Sequence, residues 1–141
     1  MNAPDSSVLI AGFVPSHRYH PEAISALAEV KKDGNLIAHT IAESYSVLSS
    51  PGGSYRAEPG AVVMYLEQFI GDQPVGMPPS TYPEAVRLLT ETNRAGGMVY
   101  DALIGLAARD AGLALLSLDA RARPIYELCG AEFRILADLG T

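Results

Sequence analysis

Asp101-Ala102-Leu103-Ile104-Gly105-Leu106-Ala107-Ala108-Arg109-Asp110-Ala111-Gly112-Leu113-Ala114-Leu115-Leu116-Ser117-Leu118-Asp119 reads as a helix, a glycine stop and a strand, with a carboxylate near each end. The helix is expected over 99–111, with Asp101 in its first turn and Gly112 closing it. Residues 113–118 are too uniformly apolar for a strand with one wet face, and match strands buried on both faces of a parallel sheet. A helix feeding such a strand predicts an α/β fold with helices on either side of the sheet.

Upstream, helical and strand signals alternate in the same way. The first strand can only be very short, because the chain reaches Asp5 after Met1-Asn2-Ala3-Pro4. Ser6 and Ser7 offer hydroxyls to cap an apolar helix that runs to Phe13. Residues 14–20 are a loop, and Pro21-Glu22 opens a helix with Ile24, Leu27, Ala28 and Lys31 at helical spacing. Asp33-Gly34-Asn35 turns the chain into a strand at 36–39. Thr40 is placed to cap the next helix, putting Glu43 in its first turn, where the helix dipole favours negative charge. Helices follow at 61–70 and 83–95, the second stopped by Gly96-Gly97. The long connections 49–54 and 71–80 separate them from what comes before. After Asp119, a helix at 120–128 and a strand at 132–136 complete the chain.

Composition narrows the function. With 141 residues, 48% hydrophobic and 18% charged, the chain fits one globular domain over 1–141. No apolar run approaches the roughly 20 residues that cross a bilayer, and the N-terminus lacks the pattern of a secretory signal. A cytoplasmic protein with no membrane partner is the simplest expectation. The single cysteine, Cys129, is expected as a buried thiol near a helix end. A net charge of −6 argues against a module that grips nucleic acid by neutralising its backbone. Two divalent cations would cancel most of that charge, so a metal-dependent nuclease stays open.

Asp5, Glu43, Asp101 and Asp119 each sit among small or apolar residues, where an unpaired carboxylate is costly. Brought together, they would hold a hard cation such as Mg²⁺ or Mn²⁺. Two lie at strand ends and two at helix starts, so all four are expected at the carboxyl edge of the sheet. His17 and His20 flank Arg18-Tyr19 in a loop without cysteine partners, and His39 reads as structural. No Gly-x-Ser-x-Gly elbow, Gly-x-x-x-x-Gly-Lys loop or Gly-x-Gly-x-x-Gly fingerprint occurs.

With these residues in hand, the chain resembles the PIN-domain ribonucleases, specifically the VapC-type toxins of bacterial toxin–antitoxin pairs. The matching text is Asp5-Ser6-Ser7-Val8-Leu9-Ile10-Ala11, Ala42-Glu43, Asp101-Ala102-Leu103-Ile104-Gly105-Leu106-Ala107-Ala108 and Leu115-Leu116-Ser117-Leu118-Asp119-Ala120-Arg121-Ala122. The resemblance implies a three-layer sandwich around a mostly parallel sheet of about five short strands. It implies Mg²⁺ or Mn²⁺ on Asp5, Glu43, Asp101 and Asp119, and cleavage of RNA. Ser7 matches the small polar residue that steadies the first aspartate, and Ser117 the hydroxyl residue two before the last acid. A homodimer, a cognate antitoxin, and operator DNA reached only through that antitoxin are implied as well. Arg94, Arg121 and Arg123 lie close enough in sequence to the acids to contact RNA phosphates. One departure concerns Asn2-Ala3-Pro4, where the family has three or four apolar residues in a central strand. Pro4 is expected to shorten that strand or alter the aim of Asp5. The alternative from another class is a catalytically weak PIN-like protein acting through antitoxin and operator DNA. A small metal-dependent phosphatase ranks below both, for want of an aspartyl-nucleophile context.

Overall fold

A computed structural model describes residues 1–137 of the chain; Asp138, Leu139, Gly140 and Thr141, the end of the expected 1–141 domain, lie outside the described residues. The order is β1 (Asn2–Pro4), α1 (Ser6–Phe13), α2 (His20–Asp33), α3 (Ala38–Ser49), α4 (Pro59–Glu67), α5 (Thr81–Glu91), α6 (Met98–Ala111), β2 (Ala114–Ser117), α7 (Arg123–Cys129) and β3 (Phe133–Ile135). A 3₁₀ turn, Ala120–Ala122, joins β2 to α7. The strands form a parallel sheet in the order β1-β2-β3.

Successive residues of β2 face opposite ways, and that alternation builds the layers. Leu116 packs with Val8, Leu27, Val30 and Val62 of α1, α2 and α4. Leu115 packs instead with Ile104 and Ala108 of α6 and Tyr126 of α7. Helices therefore cover both faces, with α5 set against the outer side of α6 through Ala85, Leu89 and Leu103. The three-layer α/β architecture is as expected; the sheet, at three strands among the described residues, is narrower than the five expected.

The missing width has a local cause. The strand expected at 36–39 is only a parallel bridge between Ile37 and Val75. Val75 donates to the Leu36 carbonyl at 2.8 Å, and its own carbonyl accepts the Ala38 N–H at 2.7 Å. With that first donor satisfied from outside, α3 starts at Ala38, and no residues remain for a strand. Thr40 is thus not the cap: it lies inside the first turn, donating its hydroxyl to the Ile37 carbonyl at 2.6 Å. Glu43 moves from the first turn to the second.

Other boundaries shift for reasons of capping. Glu58 accepts from the N–H groups of Gly60 and Ala61, so α4 begins at Pro59. Asn93 adopts a left-handed φ of 55°, and the Arg94 N–H closes back on the Leu89 carbonyl, so Asn93 rather than Gly96-Gly97 marks the end of α5. Pro4 is accommodated by the side on which its nitrogen lies. Asp5 donates its N–H to the Leu116 carbonyl at 2.9 Å, while Asn2 offers its carbonyl to Asn35 on the other side. Alternation along the strand then turns the Pro4 nitrogen away from β2, where no ladder donor is required.

Candidate active site

Parallel pairing of β1 with β2 places Pro4 opposite Leu116, so Asp5 and Asp119 leave the sheet at the same edge. Helix α6 runs back along β2 through the tight Gly112 turn, with its φ of 68°, which carries Asp101 in the first turn of α6 to that edge too. Glu43 comes from α3 on the far side. The convergence is electrostatic as well as topological. The Asp101 carboxyl is pushed up to about 6, first by burial and then by the charges of Asp5, Asp119 and Glu43, with Arg121 opposing.

Asp5 is the buried member, 6% exposed. Its side chain caps α1, a role expected of Ser6 and Ser7: Oδ1 accepts from the N–H and the hydroxyl of Ser7. The Ser7 hydroxyl also accepts the Leu118 N–H at 2.8 Å, tying the start of α1 to the end of β2. Oδ2 accepts from the buried Tyr126 hydroxyl at 2.8 Å. Burial raises the Asp5 pKa, while hydrogen bonds from Ser117, Ser7 and Tyr126 pull it back. Ser117, fully buried, also accepts the Asp119 N–H at 3.0 Å and so fixes the chain leading into the last acid.

Tyr126 is the contact that sequence reading missed. It lies seven residues beyond Asp119 in an apolar stretch of α7, where a core role accounts for it fully. Only the folding of α7 against the sheet aims its hydroxyl at Asp5.

The arginines divide. Arg94 and Arg121 line one depression of about 530 Å³ with Asp101 and Asp119. Arg121 also donates to Asp119 Oδ1 from its Nε at 3.1 Å, although its side chain is 93% exposed. Arg123 instead sets its guanidinium over the Phe133 ring, 5.8 Å from the centroid. The histidines expected in the 14–20 loop do not form a free ligand pair: His17 Nδ1 accepts the Tyr19 N–H, and His20, which the structure makes the first residue of α2, sets its Nδ1 2.8 Å from the Ala11 carbonyl. Cys129 is buried, with its thiol pushed up to about 11 by burial.

Among the described residues, no group of three or more His, Cys, Asp or Glu side chains stands ready-made to hold an ion. The oxygens of Asp5 and Oδ1 of Asp119 are turned toward protein donors instead. The donor chemistry nonetheless fits a hard cation: four carboxylates lie within electrostatic range, all but one half-exposed, with the Arg121 guanidinium opposing them.

Comparison with known proteins identifies the family and the fold. The PIN domain family profile matches residues 3–128. Ribonuclease VapC40 of Mycobacterium tuberculosis is 38% identical over 136 residues, covering 96% of this chain and 99% of the relative. Ribonuclease VapC27 of the same species is 33% identical over 136 residues, covering 96% of each. FitAcB from Neisseria gonorrhoeae superposes with a TM-score of 0.67 at 14% identity, over 97% of this chain and 99% of that one. FitAB bound to an IR36 DNA fragment superposes with a TM-score of 0.69 at 13% identity, over 96% and 95%. At those identities the two structures speak for the fold.

Proposed function

The chain belongs to the PIN-domain family, among its VapC-type ribonucleases, and we propose that it is a metal-dependent endoribonuclease toxin, cytoplasmic and neutralised by a cognate antitoxin. The observation that carries this reading is the gathering of Asp5, Glu43 and Asp119 near Asp101, whose carboxyl is lifted above its ordinary range first by burial and then by those three charges. Asp5 and Asp101 would be the central ligands of Mg²⁺ or Mn²⁺, with Glu43 and Asp119 completing the set. An ion bound there acidifies the attacking water and relieves charge on the phosphate.

The chain's own groups prepare that chemistry. Ser7, Ser117 and Tyr126 hold the Asp5 carboxylate at a fixed angle, as partners of ligating carboxylates do. Asp101 must lose its proton before it can ligate. Asp119 would hold an ion at the expense of its contact with Arg121, and Arg121 and Arg94, which line the same depression, would be the guanidiniums available to a phosphate oxygen. No histidine is needed as a base.

Two surfaces support partners. An apolar groove of about 380 Å³ between α2 and α4, lined by Ile24, Leu27, Tyr65 and Phe69, suits an amphipathic antitoxin segment. Operator DNA would be reached through that antitoxin. Tyr82, Val86 and Met98 stand exposed on α5 and at the start of α6, and offer an apolar face for a second copy.

The test is cleavage of total RNA by purified protein in Mg²⁺, Mn²⁺ or EDTA, beside Asp5→Asn and Asp101→Asn. Discrete metal-dependent fragments with 5′-phosphate ends, lost in both variants, are expected. Cleavage that survives both substitutions would show that the carboxylates are not the centre.

A further inference from the structure

We propose that the stacked rings of His39 and Tyr100 form a platform for an unpaired nucleobase next to the phosphate being cut; this deepens the ribonuclease reading and rests on it. The two rings lie within 6° of parallel, with centroids 5.6 Å apart, an offset stack. Each is carried by the helix that carries an acid. His39 and Glu43 are four residues apart on α3 and share a face, while Tyr100 directly precedes Asp101 on α6. A depression of about 320 Å³ opens there, lined by His39, Ala42, Glu43, Ser46, Val47 and Tyr100.

The core does not account for this pair. Tyr100 is 50% exposed, so its ring is not placed there by burial. Glu43 in the wall disfavours a phosphate on this side of the acid, whereas every RNA base is neutral and most carry an amino N–H that a carboxylate oxygen can accept. A base within a duplex has both faces covered by its neighbours; an unpaired base has a face to give. The rings are preformed and continue naturally into one more layer of stacking. The occupant that fits is therefore the base of a single-stranded segment, held at a fixed offset from Glu43 and Asp101.

The experiment is a fluorescence titration with a short single-stranded oligoribonucleotide carrying 2-aminopurine, using full-length protein in an Asp101→Asn background so that the RNA stays intact. Quenching on binding is expected, with Tyr100→Leu and His39→Ala each weakening the affinity by roughly five- to a hundredfold. Tyr100→Phe keeps the ring and should bind like its parent. The loss should be the same at low and physiological salt, because stacking releases no counterions. Equal binding by all four proteins overturns the platform. So does a Tyr100→Phe variant as weak as Tyr100→Leu, which would assign the effect to the phenol hydroxyl. Sedimentation of the same samples distinguishes the remaining case: if Tyr100→Leu breaks an oligomer and leaves the RNA affinity of each chain unchanged, the rings belong to an interface between copies. Cleavage of total RNA by the wild type is measured alongside. Quenching that follows the platform pattern in a protein that never cuts RNA would sink the ribonuclease reading alone.

Discussion

Burial, Asp5, Asp119 and Glu43 hold the Asp101 carboxyl up to about 6, against an ordinary value of 3.8. In the unfolded chain it ionises near that ordinary value, so between about 4 and 6 the folded protein keeps a proton that the unfolded chain has lost. Stability from this group is therefore present at low pH and falls as pH rises through that window. Above it the ionised side chain is a standing repulsion until a cation neutralises it. Asp101→Asn should then be more stable than the wild type at neutral pH in EDTA, with the advantage shrinking as pH falls toward 4. Thermal unfolding across that range checks this, and a variant less stable at neutral pH would break the argument. Tyr126 gives a second prediction. Tyr126→Phe keeps the ring in its packed position and removes only the donor to Asp5 Oδ2. Partners of metal ligands are typically worth about 10–100-fold in metal affinity. The Mg²⁺ midpoint of thermal stabilisation should rise by about that factor, with the fold intact by circular dichroism. An unchanged midpoint would reduce Tyr126 to packing.

At the scale of the elements, the sequence was legible wherever a signal was local and unopposed. Leu113 through Leu118 read as a buried strand, and Gly112 as the turn before it, because nothing nearby competes with either. The start of α3 was not legible, because the group that satisfies Ala38 is Val75, thirty-seven residues away. The sequence offers Asp5 as a ligand and Ser6-Ser7 as caps; in the fold the Asp5 carboxylate, one residue ahead of α1, accepts the Ser7 N–H and takes the cap itself. Tyr126 was hidden by tertiary packing, as the chain alone cannot say which buried phenol meets which acid. Where α6 crosses α7, Gly105 shows how closely these elements must approach. A Cβ on Gly105 would lie 2.9 Å from Cys129 Sγ and 3.0 Å from its Cβ. Gly105→Ala gains up to about 1 kcal/mol in helix propensity, but overpacking of this kind costs about 1–3 kcal/mol. A net loss of stability in urea is expected, and Cys129→Ala in the same chain should restore part of it. Additive effects of the two substitutions would mean that the contact is relieved by backbone movement instead.

Across the whole molecule, the fold concentrates negative charge at one sheet edge of a chain whose net charge is already −6. Polyanionic RNA can approach that edge only once cations have reversed its sign locally, and the protein supplies few of its own. Arg94 and Arg121 are the arginines lining the depression that holds Asp101 and Asp119, and Arg121 is engaged by Asp119. Each phosphate neutralised on a single strand contributes about −0.7 to the slope of log affinity against log salt. Two arginines therefore predict a shallow slope of about −1.4 in the presence of Mg²⁺. Arg121→Gln should flatten it by about 0.7. In EDTA the wild-type slope should already be flatter, because Asp119 keeps its hold on Arg121, and affinity should be weaker at every salt concentration. The measurement is equilibrium binding of a short single-stranded RNA that the wild type leaves uncut, to the wild-type and Arg121→Gln proteins, across a potassium chloride series with Mg²⁺ or EDTA. A slope several times steeper would place RNA on a broader basic surface contributed by a second copy or a partner, since this edge has too few cations to produce it.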